Sequence, residues 1–134
     1  MSNENTIERA TMCFACGPDN PIGLQIPFTV DGDHCTGEFT PTGNHVGFQN
    51  TVHGGIIFAC LDDVMANVLY RQNRKAHTAK CDIRYRQALE VGRAIRLHGW
   101  IDSERRRLIV LKSEARAIDD DSLVASAEAS FMLA

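Results

Sequence analysis

The sequence lacks long apolar runs and is poor in proline, with 4 Pro among 134 residues. No stretch approaches the roughly 18 apolar residues that a membrane-spanning helix requires, and the polar start MSNENTIERA does not resemble a secretory signal. The five cysteines are odd in number and follow no such signal, so reduced thiols are expected rather than a disulfide framework. We therefore expect a cytoplasmic protein with no membrane partner.

Internal repeats, low-complexity tracts and linkers are also missing. The composition, 44% hydrophobic and 23% charged, is typical of a globular domain. We expect a flexible N-terminus over residues 1–12 and one domain over residues 13–134. The sequence neither predicts nor excludes a second, shorter helix near Ile7–Met12.

Charged residues are distributed unevenly along the chain. The net charge is −3, yet residues 71–116 have a balance of +8, residues 1–70 one of −7, and residues 117–134 one of −4. A basic middle indicates an anionic partner, although a solvated basic strand face explains the pattern equally well. Because the whole chain is acidic and no basic strand is rich in aromatics, we expect a small phosphorylated ligand rather than nucleic acid.

One helix is predicted, from Gly54 to about Arg71. Apolar residues recur along it at spacings of three and four, which is one face of a 3.6-residue period. These residues are Ile57, Cys60, Leu61, Val64, Met65 and Val68. Further apolar residues widen the stripe so far that we expect a helix buried on most sides.

Alternation of apolar and polar residues predicts strands along much of the remaining chain. The candidates are Leu24–Phe28, Cys35–Thr40, Ala79–Arg86, Ala94–Asp102, Leu108–Ile118 and Leu123–Leu133. Residues 13–23 and Pro41–Val52 are expected to be loops. Short connections favour an antiparallel meander, and its small inward-facing residues leave space for the helix. We expect an α+β fold: one long central helix wrapped by a curved antiparallel sheet of about five to six strands.

Candidate chemistry is concentrated at the start of the helix. Gly54 and Gly55 follow His53, and the N–H groups of the first turn have no partner inside a helix. Together with the helix dipole, these donors suit a carbonyl oxygen that becomes negative during a reaction. A glycine cap needed only for packing has the same spacing, and His53 alone is more typical of a hydrogen-bonded structural group.

The neighbouring residues Asp62 and Asp63 differ in their expected surroundings. Asp62 projects from the apolar stripe, where burial raises the pKa of a carboxyl group. It is therefore a catalytic candidate, or a structural acid satisfied by a neighbouring strand. Asp63 lies in a polar row with Asn67 that we expect to face solvent or a partner subunit. Asp62 and Gly54 are about two and a half turns apart, so they can converge only between two antiparallel helices of a dimer.

Cys13-x-x-Cys16 is half of a zinc signature. The best second pair in the chain is His34 with Cys35, which has no standard ligand spacing, so we predict no metal site. Redox activity is no more favoured, because no strand-then-helix context surrounds the two cysteines.

The run HVGFQNTVHGG at residues 45–55, followed by Leu61 and Asp62, resembles PaaI-like acyl-CoA thioesterases of the hotdog-fold superfamily. The opening CFACGPDNPIGL at residues 13–24 is similar to one subgroup of them. The resemblance extends from about residue 13 to the C-terminus. Hotdog folds also include dehydratases and non-catalytic acyl-CoA binders.

The resemblance implies roles for single residues. Asp62 would be the catalytic carboxylate, acting as a base on water or as a nucleophile. The Gly54 N–H would be the main oxyanion donor, and His53 an orienting residue. Thr78 falls where relatives place Ser or Thr near the opposite subunit's carboxylate, and would position water.

One position departs from the family pattern. Many relatives have an Asn six residues before the motif histidine, where this chain has Gly47. Gln49 or Asn50 is expected to supply the missing amide, unless the water is held differently. Of these two residues, we take Asn50 as the candidate.

The resemblance also implies the ligand and the assembly. We expect an acyl-CoA substrate hydrolysed to a free acid and CoA by a homodimer or a dimer of dimers with shared active sites. CoA is part of the substrate, so no cofactor is expected. The expected phosphate contacts are Arg84, Arg86 and Arg106, with Arg71, Arg74, Arg105 and Arg107 as further candidates. The alternatives are a non-catalytic acyl-CoA-binding or regulatory protein and, less favoured, a dehydratase, because the helix has no Glu.

Overall fold

The computed structural model describes residues 11–134. Its elements in chain order are β1 Thr29–Asp31, β2 His34–Phe39, a 3-10 turn Gly43–His45, β3 Val46–Phe48, β4 Thr51–Val52, α1 Gly54–Arg71, β5 Ala76–Tyr85, β6 Ile95–Arg105, β7 Leu108–Ala117 and β8 Leu123–Leu133. The predicted helix is confirmed with its bounds. The open helix near Ile7–Met12 and the N-terminal segment 1–12 lie mostly outside the described residues.

Six strands form one antiparallel sheet in the order β1-β2-β6-β7-β8-β5, and β3 with β4 forms a separate hairpin. The predicted architecture, one long helix against an antiparallel sheet, is confirmed. The long strand β5 lies at an edge of the sheet, and among the described strands it pairs with β8 alone. No helix within residues 11–134 is both long and apolar enough to cross a lipid bilayer.

The helix packs closely because the sheet beneath it has small residues. A Cβ added at Gly99 in β6 would lie 2.8 Å from the carbonyl oxygen of Val64. The hydroxyl of Ser113 in β7 donates to the Leu61 carbonyl at 3.2 Å. Buried alanines of β7 and β8 complete this surface: Ala115, Ala117, Ala125, Ala127 and Ala129. This close approach fixes which helix residues point into the core.

The strand predicted at Leu24–Phe28 is wrong. Its alternation is real, because Leu24, Ile26 and Phe28 are buried. However, the Leu24 and Ile26 amides donate to carbonyls of the loop at residues 14–15 instead of to a strand. Gln25 has a left-handed φ of 54°. The segment is an extended cover over the core, and the first strand begins only at Thr29.

The loop predicted over Pro41–Val52 is partly wrong, since it contains the 3-10 turn and the β3–β4 hairpin. Both strands are too short to show alternation in the sequence. The hairpin is fixed by contacts from outside it: the Val52 amide donates to the Leu89 carbonyl, and the His53 amide to the His45 carbonyl. The hairpin thereby positions the backbone that leads into the first residue of α1.

Candidate active site

The start of α1 has an amide that no acceptor in the described part of the chain uses. His53 is the N-cap, and its Nδ1 accepts the Gly55 N–H at 2.8 Å. In the neutral ring the proton is therefore on Nε2. Within residues 11–134, the Gly54 N–H donates to no protein acceptor. It lies at the positive end of the helix, where it can donate to a carbonyl or developing oxyanion.

A cavity of about 310 Å³ opens beside this amide. Gly54, Tyr85 and Arg86 line it, with apolar residues of the segment that follows β5. The Tyr85 hydroxyl donates to the Gly54 carbonyl at 2.8 Å, which ties the end of β5 to the start of α1. A carbonyl group entering here meets a fixed amide donor and a nearby guanidinium.

Asp62 lies further along α1 and points toward β5. The Thr78 hydroxyl donates to its Oδ1 at 2.8 Å. Burial raises the pKa of Asp62 above its ordinary value of 3.8, and the smaller effect of the Thr78 hydrogen bond lowers it. A carboxylate that is desolvated yet held by one hydroxyl is suited to act as a base or a nucleophile.

A β-bulge brings Thr78 to this carboxylate. The register of β5 against β8 shifts between Thr78 and Lys80, which leaves Ala79 as an extra residue. Thr78 therefore pairs with the buried Phe131 and points to the helix side. The resemblance associates Thr78 with the opposite subunit's carboxylate, whereas its partner in the structure is Asp62 of the same chain.

Asp62 and Gly54 do not form one site within a single chain. Eight residues of helix separate them, a rise of about 12 Å. A thioester carbonyl bound at the Gly54 amide is thus beyond the reach of the same chain's Asp62. This spacing agrees with the expectation of a site shared between two chains.

Residues 47–50 do not supply an amide to Asp62 of their own chain. A Cβ at Gly47 would lie 2.8 Å from the His53 Cα, so the asparagine of the family pattern has no space here. Asn50 is exposed in the β3–β4 turn, where its backbone carbonyl accepts the Val91 amide. Gln49 has a left-handed φ of 50° in the same turn.

The structure separates the predicted phosphate contacts into two groups. Arg84 and Arg86 are exposed at the end of β5 that meets the start of α1, and Arg86 lines the cavity there. Arg106 lies at the tip of the β6–β7 hairpin with a left-handed φ of 59°. The strand registers place that tip level with His77, at the other end of β5, about 30 Å away. Within one chain these arginines cannot contact one phosphate.

The basic middle of the chain is partly neutralised by the protein itself. Arg93 forms ion pairs with Asp119 and Asp120 of the acidic C-terminal segment. Arg74 pairs with Glu104, and Arg71 donates to the Phe28 carbonyl at 3.3 Å. Arg84 and Arg86 form no ion pair within residues 11–134. These two thus remain available to an anionic ligand.

The expectation that Asp63 faces solvent or a partner subunit is wrong. Asp63 is half-buried beneath the loop that follows residue 11, and the Cys13 thiol donates to its Oδ1 at 3.6 Å. The Asn67 amide donates to its Oδ2 at 3.0 Å. The polar row is covered by a loop whose position the helix period does not predict.

The sequence model of the thioesterase superfamily matches residues 49–124, from the β3–β4 turn into β8 and including both Gly54 and Asp62. This chain belongs to the thioesterase superfamily. No curated protein sequence matches it.

Solved structures of thioesterase superfamily proteins share the fold. A hypothetical thioesterase of Streptococcus pneumoniae TIGR4, solved with coenzyme A, is 14% identical, with a TM-score of 0.77 over 81% of this chain and 85% of that one. The PaaI protein of E. coli, from the phenylacetic acid degradation operon, is 18% identical, with a TM-score of 0.77 over 81% and 83%. Zebrafish Thioesterase Superfamily Member 2 is 17% identical, with a TM-score of 0.79 over 96% and 99%. These likenesses confirm the hotdog fold.

Replacing Asp62 by Asn should stabilise this thioesterase superfamily protein near neutral pH. Because burial raises the pKa of Asp62, the folded state keeps that proton to a higher pH than the unfolded chain. Ionisation of Asp62 therefore lowers the free energy of unfolding as the pH rises through this interval. Asp62→Asn removes that loss. The free energy of unfolding of the variant should therefore exceed that of wild type by an amount that grows from acid toward neutral pH. Urea unfolding at several pH values measures it.

Asp31→Asn controls for the loss of one charge, since Asp31 is exposed on β1. An Asp62→Asn advantage that is absent at neutral pH, or equal at all pH values, would contradict the burial argument.

Proposed function

We propose that the protein is an acyl-CoA thioesterase, which hydrolyses an acyl-CoA to a free acid and CoA. The observation that carries this proposal is the half-buried Asp62 carboxylate, held by Thr78, on the same helix that begins with the Gly54 amide, which no acceptor in residues 11–134 uses. A base and an oxyanion donor are the two groups that acyl transfer to water requires. Membership of the thioesterase superfamily and the coenzyme A in the pneumococcal structure support the substrate class.

In the proposed reaction the thioester carbonyl accepts the Gly54 N–H. Asp62 of the partner subunit removes a proton from water. The water oxygen bonds to the carbonyl carbon, and the carbonyl oxygen becomes negatively charged. The Gly54 amide stabilises this oxyanion. Collapse then breaks the carbon–sulfur bond, and the proton passes to the CoA thiolate. In the nucleophilic version, an Asp62 carboxylate oxygen bonds to the carbonyl carbon and the carbon–sulfur bond breaks, which releases the CoA thiolate. Water then opens the resulting anhydride, and this frees the acid and restores Asp62.

The site needs a dimer, and β5 is the element best suited to form one. It is a ten-residue strand at the sheet edge, and no strand within residues 11–134 pairs with its outer side. Pairing of β5 with β5 of a second copy would satisfy this edge and bring the two α1 helices side by side. Asn50 and His53 of one chain would then lie on the same side of the dimer as Asp62 of the other. A dimer of dimers is compatible with this arrangement.

Two alternatives differ in the use of Asp62. A non-catalytic acyl-CoA-binding or regulatory protein needs the cavity and the arginines but no buried carboxylate. A dehydratase would need a histidine paired with an acid, whereas the His53 Nδ1 is occupied by the Gly55 amide. The cytoplasmic location remains a prediction from the cysteine content.

Thiol release from short, long and aromatic acyl-CoAs tests the proposal. We expect turnover with at least one acyl group, and Asp62→Ala should lower kcat by about 100-fold or more, because it removes the group that transfers the proton. Asp31→Ala is the matched control, an exposed aspartate of β1 whose loss should leave the rate unchanged. Binding without turnover across the panel would favour the non-catalytic alternative. Near-normal turnover by Asp62→Ala would refute the role of Asp62.

Arg84 and Arg86 are proposed to contact the CoA phosphates. Arg86 lines the cavity beside the Gly54 amide, and Arg84 lies two residues before it at the same end of β5. Neither has an acidic partner in the described part of the chain. Arg106 was expected to share this role. Because the hairpin tip that carries Arg106 is level with the far end of β5, Arg106 can contact the same CoA only from another subunit.

Arg86→Ala should raise KM for an acyl-CoA about tenfold with a smaller change in kcat, because a charge-assisted hydrogen bond to phosphate is lost. Initial rates against substrate concentration measure this change. Arg106→Ala is the comparison variant, and its KM should stay within about twofold of wild type. The opposite ranking would move the phosphates to the hairpin end of the sheet.

A further inference from the structure

Three metal-ligating side chains converge on the face of α1 that the proposed reaction does not use. The Sγ atom of Cys13, the Sγ atom of Cys16 and a carboxylate oxygen of Asp63 all lie within 4.8 Å of one another. The Cys13 Sγ is 3.6 Å from the Asp63 Oδ1. Two ligands on a tetrahedral zinc, with Zn–S near 2.3 Å and Zn–O near 2.0 Å, are about 3.6 Å apart. The Cys13–Asp63 pair therefore has the spacing that a zinc ion requires, and the other two pairs lie within 4.8 Å.

The loop that carries the two cysteines is fixed by its own contacts. The Gly17 amide donates to the Cys13 carbonyl at 2.8 Å. A Cβ at Gly17 would lie 2.4 Å from the Cys13 nitrogen, so the turn tolerates only glycine. The Asn20 side chain donates to the Met12 carbonyl at 3.0 Å. This folding directs both thiols toward α1 before any ligand binds.

The cluster lacks a cation. Asp63 forms no ion pair with any Lys, Arg or His of residues 11–134. Its neighbours are two thiols and, one residue away, the Asp62 carboxyl group. A half-buried carboxylate that has two neutral thiols and a second carboxyl group as neighbours is costly to keep charged without a positive partner. A divalent cation supplies the missing charge.

The Asn67 side chain forms hydrogen bonds with this cluster. Its side chain is buried, 6% exposed, and Nδ2 donates to the Asp63 Oδ2 at 3.0 Å and to the Asp63 carbonyl at 2.9 Å. The same nitrogen is 3.8 Å from the Cys16 Sγ. Buried amides that orient carboxylate and thiolate ligands are typical of the residues surrounding a metal site.

We propose that Cys13, Cys16 and Asp63 bind one Zn²⁺ ion, with a water molecule in the fourth position. Two thiolates and a carboxylate are ligands that zinc accepts, and binding releases the two thiol protons to solvent. The adjoining cavity of about 730 Å³, which these three residues help to line, gives the ion and its water an entry path. The ion would fasten the irregular cover formed by residues 13–28 to α1.

The sequence pattern contains the first two ligands but not the third. A Cys-x-x-Cys pair is half a signature, and the expected absence of a metal followed from the lack of a second pair. The third ligand is a helix residue 47 positions further along the chain. Only the packing of the loop on α1 brings it to the thiols.

Zinc content of the full-length protein tests this proposal. Apoprotein prepared by chelation under reducing conditions, then incubated with Zn²⁺ and desalted, should retain one zinc per chain by mass spectrometry of the metal. Cys13→Ser and Asp63→Asn should each lose at least about nine-tenths of it. Cys81→Ser, a half-buried thiol on β5 outside the cluster, should keep it.

Wild-type protein provides a readout that does not depend on the folding of the variants. Co²⁺ in place of Zn²⁺ should give thiolate-to-cobalt charge-transfer absorption, and added Zn²⁺ should raise Tm relative to the chelated protein. Failure to retain stoichiometric zinc with reduced thiols, a cobalt spectrum without thiolate bands, or equal zinc loss in Cys81→Ser would overturn the proposal. None of these outcomes depends on thioesterase activity.

Discussion

Burial of one long helix against a single antiparallel sheet is the constraint on which the rest of the molecule depends. The sheet can approach α1 only because its strands present glycine, serine and alanine beneath it, with the Gly99 backbone in contact with the helix at Val64. Close packing fixes the rotation of the helix about its axis. That rotation directs Asp62 toward the edge strand β5, and it sets the start of the helix against Tyr85.

Two adjacent aspartates thereby acquire different surroundings. Successive residues of a helix point about 100° apart, so Asp62 meets Thr78 of the sheet while Asp63 meets the cysteine-bearing loop. Burial raises the pKa of both carboxyl groups. One lies where a partner subunit can bring a substrate, and the other is enclosed by its own chain. We therefore assign the reaction to the first and the metal to the second.

Elements with a regular repeat of apolar residues were predictable from the sequence, and features set by tertiary contacts were not. The bounds of α1 follow from a repeat of 3.6 residues, and the positions of the four long strands follow from a repeat of 2. However, β5 begins at Ala76 rather than Ala79, and β6 extends to Arg105 rather than Asp102. The alternation at Leu24–Phe28 reports burial correctly, yet it cannot show whether a neighbouring strand is present to pair with. Strict alternation also places Thr78 on the outer face of β5, and only the bulge at Ala79 turns it toward Asp62. The covering of Asp63 depends on a loop with no period at all.

The central claim is that Asp62 of one chain works with Gly54 of the partner subunit. Co-expressed Asp62→Ala and Gly54→Pro chains with different tags give a heterodimer that tests it most directly. Proline at the first helical position removes the N–H without breaking the helix, and the extended backbone of His53, at φ −61° and ψ 132°, suits a residue before proline. It also adds a Cβ that would lie 3.3 Å from the Tyr85 hydroxyl oxygen, as alanine does. Gly54→Ala, which keeps the amide, is the control. Both mutant homodimers should be nearly inactive, while the heterodimer, with one intact shared site, should recover about half of the wild-type rate of thiol release per dimer. A heterodimer as inactive as its parents would place both groups in one chain and contradict the account.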